Sequence, residues 1–219
     1  MSYQIAIDGP AGAGKSTVAK AVAKKLGYIY VDTGAMYRAM ALYLLRQQID
    51  TGDAAAISAA SRHADITISY ADGVQQVLLN GENVTGLLRT EEVGNMASVS
   101  SANPDVRAKL VELQQALAAR ENVVMDGRDI GTCVLPQADV KVYLTASAAC
   151  RAKRRYDELQ AKGESCDLAA IEEDIRERDE RDMTRAISPL CQAEDAVLVD
   201  SSDMTVEEVI KKIASLARK

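Results

Sequence analysis

One histidine, His63, among 219 residues leaves nothing from which to build a histidine metal site or a Ser-His-Asp triad. His63 therefore reads as a surface or packing residue. The four cysteines, Cys133, Cys150, Cys166 and Cys191, are far apart and form no CxxC pair, so no zinc or redox spacing is present. They read as buried or idle thiols in a reducing compartment. No apolar run approaches the length of about 18 residues that a membrane span needs; AMYRAMALYLL is shorter and contains Arg38. The opening MSYQIAIDG lacks a basic segment followed by an apolar core, so no secretory signal is expected. These absences predict a cytoplasmic protein that does not enter the membrane. Positive charge is not in surplus either: the formal net charge is -6, which disfavours a nucleic-acid partner. There is no internal repeat, no low-complexity tract and no obvious surface for self-association, so a monomer is expected.

What the sequence holds is a rhythm of short apolar runs between stretches of helical period. The candidate strands are Gln4–Ile7, Ile29–Val31, Val123–Met125, Val140–Leu144 and Ala196–Val199. Most end beside an aspartate: Asp8, Asp32, Asp126 and Asp200. Apolar strands separated by helices predict an α/β fold with a parallel sheet covered on both faces. Ligands then gather at the carboxyl ends of the strands. Two regions break the rhythm. From about Ala64 to Gly86, ADITISYADGVQQVLLNGENVTG alternates like half-buried strand, with ADG and NGEN as turns, which predicts a small antiparallel insert. From Ser147 to Arg185 the pattern is helical and dense in charge, and Gly163 is predicted to separate two helices. Solvated helix faces with i,i+4 pairs explain such charge runs, but the arginines here exceed what solubility requires.

Gly9-Pro10-Ala11-Gly12-Ala13-Gly14-Lys15-Ser16 meets GxxxxGK[ST] at every fixed position. It lies between strand-like IAI and helix-like STVAKAVAKKL, the context that makes the motif a phosphate loop. Backbone N–H groups of such a loop cradle phosphate oxygens, and the following helix N-terminus adds partial positive charge. Lys15 can reach the β- and γ-phosphates, Ser16 is the natural Mg²⁺ ligand, and Thr17 can contact the α-phosphate. No Asn-Lys-x-Asp guanine motif is present, which disfavours a GTPase. A short chain with inserted segments favours a small-molecule kinase.

An acceptor side is suggested by two further stretches. Val31-Asp32-Thr33-Gly34-Ala35-Met36-Tyr37-Arg38 places an arginine one turn into a helix at a strand's carboxyl end, where it can bind a phosphate bidentately. Met125-Asp126-Gly127-Arg128-Asp129-Ile130-Gly131-Thr132 breaks a buried strand into carboxylates and an arginine, groups costly to bury unless paired or ligand-bound. Arg128 can join Arg38 on an anion; Asp126 and Asp129 can bind an acceptor or pair with arginine. An ordinary capped helix and a solvated loop would also account for these stretches. A kinase for UMP, AMP or shikimate, or a nucleotide-gated binding protein, remains open at this point.

The combination IDGPAGAGKST, VDTGAMYR, RTEEVGNMAS, DGRDIGT and ERDERDMTRAISPL resembles the bacterial cytidylate kinases, within the nucleoside monophosphate kinase family, over nearly the full length. The resemblance implies the P-loop kinase fold: a five-stranded parallel sheet flanked by helices, a small antiparallel β insert and a short helical lid. It divides the chain into a core of about 1–32, 90–146 and 186–219, an acceptor domain of about 33–89, and a lid with arginine-rich helices of about 147–185. It implies transfer of the ATP γ-phosphoryl group to CMP, with dCMP as a second acceptor, assisted by Mg²⁺. Thr33, Tyr37, Arg38 and Arg128 are implied at the acceptor phosphate. Ser98, Arg107, Asp129 and Arg185 are implied near the cytosine, and Arg178 and Asp182 at the ribose. Arg151, Arg154 and Arg155 resemble lid arginines over the donor phosphates. An acceptor phosphate oxygen is already ionised near neutral pH, so the absent catalytic histidine is no objection.

Overall fold

The structure is a computed structural model and describes residues 2–217. The chain forms two compact units, one built on Val31–Glu121 and the other on Tyr3–Tyr30 with the chain from Asn122 onward. It opens with β1 (Gln4–Asp8), α1 (Lys15–Leu26) and β2 (Ile29–Asp32); the boundary between the units falls inside β2.

The first unit continues with α2 (Thr33–Arg46), α3 (Ala54–Ser61), β3 (Ile66–Ala71), β4 (Val74–Leu79), β5 (Glu82–Asn83), α4 (Glu91–Ser100) and α5 (Pro104–Ala118). The three strands form an antiparallel sheet in the order β3-β4-β5, the insert expected from the alternation of that segment. Its turns are Asp72-Gly73 and Asn80-Gly81, all four residues with positive φ, as tight hairpin turns matching strand twist require. Each helix starts where a side chain can accept a free N–H. Asp53 caps α3 at Ala56, and Asn103 caps α5 at Asp105 and Val106, with Pro104 at the first helical position. Met36, Met40 and Leu44 of α2 pack with Ile66, Val77, Leu79, Met96 and Leu110 in this unit's core.

The second unit resumes with β6 (Val123–Gly127), β7 (Val140–Thr145), α6 (Ala148–Ala161), α7 (Leu168–Thr184), β8 (Val197–Asp200) and α8 (Val206–Leu216). The five-stranded sheet has the order β2-β6-β1-β7-β8. The β1–β6, β1–β7 and β7–β8 pairings are parallel, so helical crossovers are obligatory. Ile5 and Ile7 face Val124 and Asp126 on one side and Val140 and Val142 on the other. With β1 central, its carboxyl end opens between two parallel neighbours, the place where α/β sheets bind ligands. Val18 and Val22 of α1 and Val209 and Ile213 of α8 bury against Ile5, Ile7 and Leu144. Each such side chain contributes about 1.5–3 kcal/mol on burial. Gly163, with φ +77°, lies between α6 and α7, as its position in the charged run predicts. Among the described residues no helix is long and apolar enough to cross a membrane. His63 is exposed, and none of the four cysteines is paired or fully buried.

Candidate active site

The phosphate loop leaves β1 at Gly9. There φ is +148°, and a Cβ would stand 1.9 Å from the Leu144 carbonyl oxygen of β7. Only glycine lets the chain pass so close to a neighbouring strand. Lys15, the first residue of α1, is buried and its Nζ donates to the Pro10 carbonyl at 2.7 Å. Burial, and then the Arg128 guanidinium, hold its pKa well below the ordinary lysine value; Asp126, Asp8 and Asp182 pull the other way. A lysine in that position is stabilised in its charged form by an incoming polyanion.

Ser16 Oγ donates to Asp126 Oδ2 at 2.9 Å, and the Tyr30 hydroxyl donates to Asp126 Oδ1 at 2.8 Å. The structure thus places Asp126, expected beside the acceptor, next to the phosphate loop. A hydroxyl and a carboxylate are hard oxygen donors. Among the described residues no group of three or more His, Cys, Asp or Glu could hold a metal ion. That donor set fits Mg²⁺, which takes one or two protein oxygens and completes its shell with water and phosphate.

After β6 the chain turns through a π-helical segment, Ile130–Val134. Asp8 holds that turn: its Oδ1 accepts from the Ile130 N–H at 2.8 Å and its Oδ2 from the Gly131 N–H at 2.7 Å. Burial pushes the Asp8 carboxyl up to about 6, against those two backbone bonds. The other charges of the segment are paired. Arg128 Nε donates to Asp182 at 2.7 Å, and an Arg185 nitrogen lies 3.8 Å from Asp129. Arg178 is exposed one turn before Asp182 on α7.

The three arginines of α6 go different ways. Arg151 is buried; it donates to the Ala11 carbonyl of the phosphate loop at 2.9 Å and pairs with Asp179 at 2.6 Å. Arg154 donates to the Ser201 carbonyl at 2.7 Å. Arg155 pairs with Glu158 at the surface at 3.0 Å.

In the other unit, Asp32 caps α2 by accepting from the Ala35 N–H at 2.9 Å and pairs with Arg38 at 3.3 Å. Arg38 Nε is buried without a hydrogen-bond partner, the condition of a donor awaiting an anion. Thr33 is buried at the start of α2. The buried Arg107 guanidinium stands 5.7 Å from the Tyr37 ring centroid, within cation–π range. Ser98 is exposed on α4. Sequence reasoning missed three residues that brace these positions: Tyr30, Asp179 and Gln75. Gln75 of β4 accepts from the Asp32 N–H at 2.8 Å, tying the hairpin to the β2–α2 junction. The ADG turn two residues earlier was the available signal for that strand, but its register was not readable.

A family model described as cytidylate kinase matches residues 5–219. A cytidylate kinase of Caldicellulosiruptor saccharolyticus is 51% identical over 212 residues, covering 97% of this chain and 94% of its own. One from Lactiplantibacillus plantarum is 50% identical over 218 residues, covering 100% and 96%. Among solved structures, an uncharacterized protein from Eubacterium ventriosum aligns with a TM-score of 0.50 at 14% identity, over 98% of this chain and 99% of its own; that likeness concerns fold. Half of the aligned positions are shared with these relatives along nearly their whole length, and the chain belongs to the cytidylate kinase family.

Proposed function

We propose that the protein transfers the γ-phosphoryl group of ATP to CMP, giving ADP and CDP, and accepts dCMP as well. In this reading it works as a Mg²⁺-dependent cytoplasmic monomer in pyrimidine nucleotide metabolism. The observation that carries the two-substrate reading is Arg38 Nε, a buried and unpartnered guanidinium donor outside the phosphate loop. A nucleotide switch needs no second arginine kept ready for an anion.

The roles follow from the chemistry of each group. Backbone N–H groups of the Gly9–Gly14 loop, Pro10 excepted since it has none, hold the ATP phosphates with Lys15 and Thr17. Ser16 and Asp126 hold Mg²⁺, which supplies charge neutralisation on the phosphate oxygens. Arg151 keeps the loop in shape from behind Ala11. Arg154 and Arg155, on the helical lid, turn toward the donor phosphates, and the lid excludes water. Thr33, Tyr37, Arg38 and Arg128 bind the CMP phosphate. Ser98, Arg107, Asp129 and Arg185 read the cytosine edge, where an amine and two acceptors meet hydroxyl, carboxylate and guanidinium groups. Uracil would not match the hydrogen-bonding pattern of the buried Arg107 and Asp129, at a cost of about 1–3 kcal/mol. Arg178 and Asp182, four residues apart on one face of α7, bind the ribose hydroxyls. An ionised phosphate oxygen attacks in line, and positioning with charge neutralisation lowers the barrier.

ADP release measured with CMP, dCMP, UMP, AMP, shikimate or buffer as acceptor tests the reading. Fast turnover with CMP and dCMP, and slow turnover with the rest, is expected. ADP release independent of any acceptor, or no preference for CMP, would overturn it.

A further inference from the structure

Tyr30 is the second residue of β2 and belongs to the phosphate-loop unit. Its side chain is largely buried, yet its hydroxyl is aimed at a carboxylate rather than at water. That hydroxyl and Ser16 Oγ each donate to a different oxygen of Asp126, at 2.8 and 2.9 Å. A carboxylate gripped at both oxygens cannot rotate about its Cβ–Cγ bond. Lys20 Nζ, one turn beyond Ser16 on α1, lies 5.4 Å from the Tyr30 ring centroid and helps to hold the ring. The chain Tyr30–Asp126–Ser16 thus spans β2, β6 and α1.

The direction of the bonds matters. With its proton committed to Asp126, Ser16 Oγ keeps its lone pairs for a cation. Asp126 Oδ2 stays beside that oxygen because Tyr30 holds Oδ1. We propose that Tyr30 is a positioning residue for the metal: it presets Asp126, and through it Ser16, as a preformed pair of hard oxygen ligands. The inference rests on the proposal that Ser16 holds Mg²⁺. Hydrogen-bond partners behind a metal ligand affect metal affinity strongly, typically about 10–100-fold.

The test uses Mn²⁺ as a probe, its free concentration followed by electron paramagnetic resonance. It is titrated into full-length protein loaded with a non-hydrolysable ATP analogue. Tyr30→Phe removes one oxygen and keeps the ring. It is expected to weaken Mn²⁺ binding about tenfold and to raise the Mg²⁺ concentration for half-maximal rate by a similar factor. Binding of the analogue in the presence of a chelator should be unchanged. In an Asp126→Asn background, Tyr30→Phe should add no further loss, because its effect passes through the carboxylate. Mn²⁺ affinity within twofold of wild type in Tyr30→Phe, alongside a marked loss in Ser16→Ala, overturns the inference and leaves the parent reading intact. Unchanged affinity in Ser16→Ala overturns both. Additive losses in the Asp126→Asn background also overturn the role assigned to Tyr30. Should Tyr30→Phe fold poorly, Lys20→Met loosens the ring from the other side and is expected to show a smaller loss of the same kind; no loss in it would overturn the inference.

Discussion

The two loops at the carboxyl ends of β1 and β6 lie in the same unit and are held by different means. The phosphate loop carries its own marks, glycines with positive φ at Gly9, Gly12 and Gly14 and the Lys15–Pro10 bond five residues apart, with Arg151 bracing Ala11 from α6. The Asp-Gly-Arg-Asp segment is shaped from a distance. Asp8 reaches it across 122 residues of sequence and Asp182 across 54. A loop built from local dihedrals can be recognised in any sequence that carries it. A loop held by remote carboxylates is recognised only when the partners are already in place. The difference has an electrostatic side too. The first loop carries a lysine whose charge is disfavoured by burial and then by Arg128, whereas the second is held by a carboxylate whose charge burial also disfavours, against two backbone N–H groups and a nearby lysine.

The largest effect should come from the chemical centre of the local loop. Lys15→Ala is expected to lower kcat by roughly 10²–10³-fold, the scale of losing one preorganised charge at a transferring group. The fold should survive, since a buried lysine with a lowered pKa is stabilising little. Near-normal turnover in the ADP assay would remove Lys15 from the reaction. Next comes the loop's backbone. Gly9→Ala should destabilise the protein by about 3 kcal/mol or more, because the added methyl meets the Leu144 carbonyl at 1.9 Å. Denaturant unfolding reads this directly, and an unchanged midpoint would mean that the loop is not fixed by that contact.

The smallest effect belongs to the remotely held loop and depends on pH. Asp8 has a folded pKa of about 6, raised from the ordinary 3.8. Its contribution to stability is therefore fully present below about pH 4 and is lost as pH rises through about 6, because the folded state keeps the proton longer. The change is about 3 kcal/mol at most. The stability of Asp8→Asn relative to the parent chain should accordingly improve between pH 4 and pH 7, whatever the cost of its imperfect pairing with the two N–H groups. A difference that stays constant with pH would show that Asp8 does not titrate in this range.

Much of the architecture was legible because it depends on period and on local turn chemistry. The five strands, the hairpin turns at Asp72-Gly73 and Asn80-Gly81, and the helix break at Gly163 all carry their signal within a few residues. The candidate site was legible in part. Lys15, Ser16, Arg38 and Arg128 announce themselves by motif. Tyr30, Gln75 and Asp179 do not, since each acts on a residue far along the chain and carries no local mark. The arginines of α6 show the same limit. ACRAKRR places three on one helix, but whether each faces the phosphate loop, Ser201 or solvent depends on rotation about the helix axis and on what packs there. The exposed Arg46–Glu82 pair is equally invisible in sequence and contributes little, as surface ion pairs do.

By itself the sequence predicted a phosphate loop, from glycines whose missing side chains are a property of each residue alone. It determined the alternation of strand and helix, which follows from the spacing of apolar groups. Tertiary structure alone decided which carboxylate serves which neighbour. It placed Asp126 with Ser16 and Tyr30, Asp8 beneath the Ile130–Val134 turn, and Asp179 against Arg151. Those pairings are set by strand order and register and, for Asp179 and Arg151, by the packing of α7 on α6, and charge buried in a protein interior takes its partner from whatever the fold brings within about 3 Å.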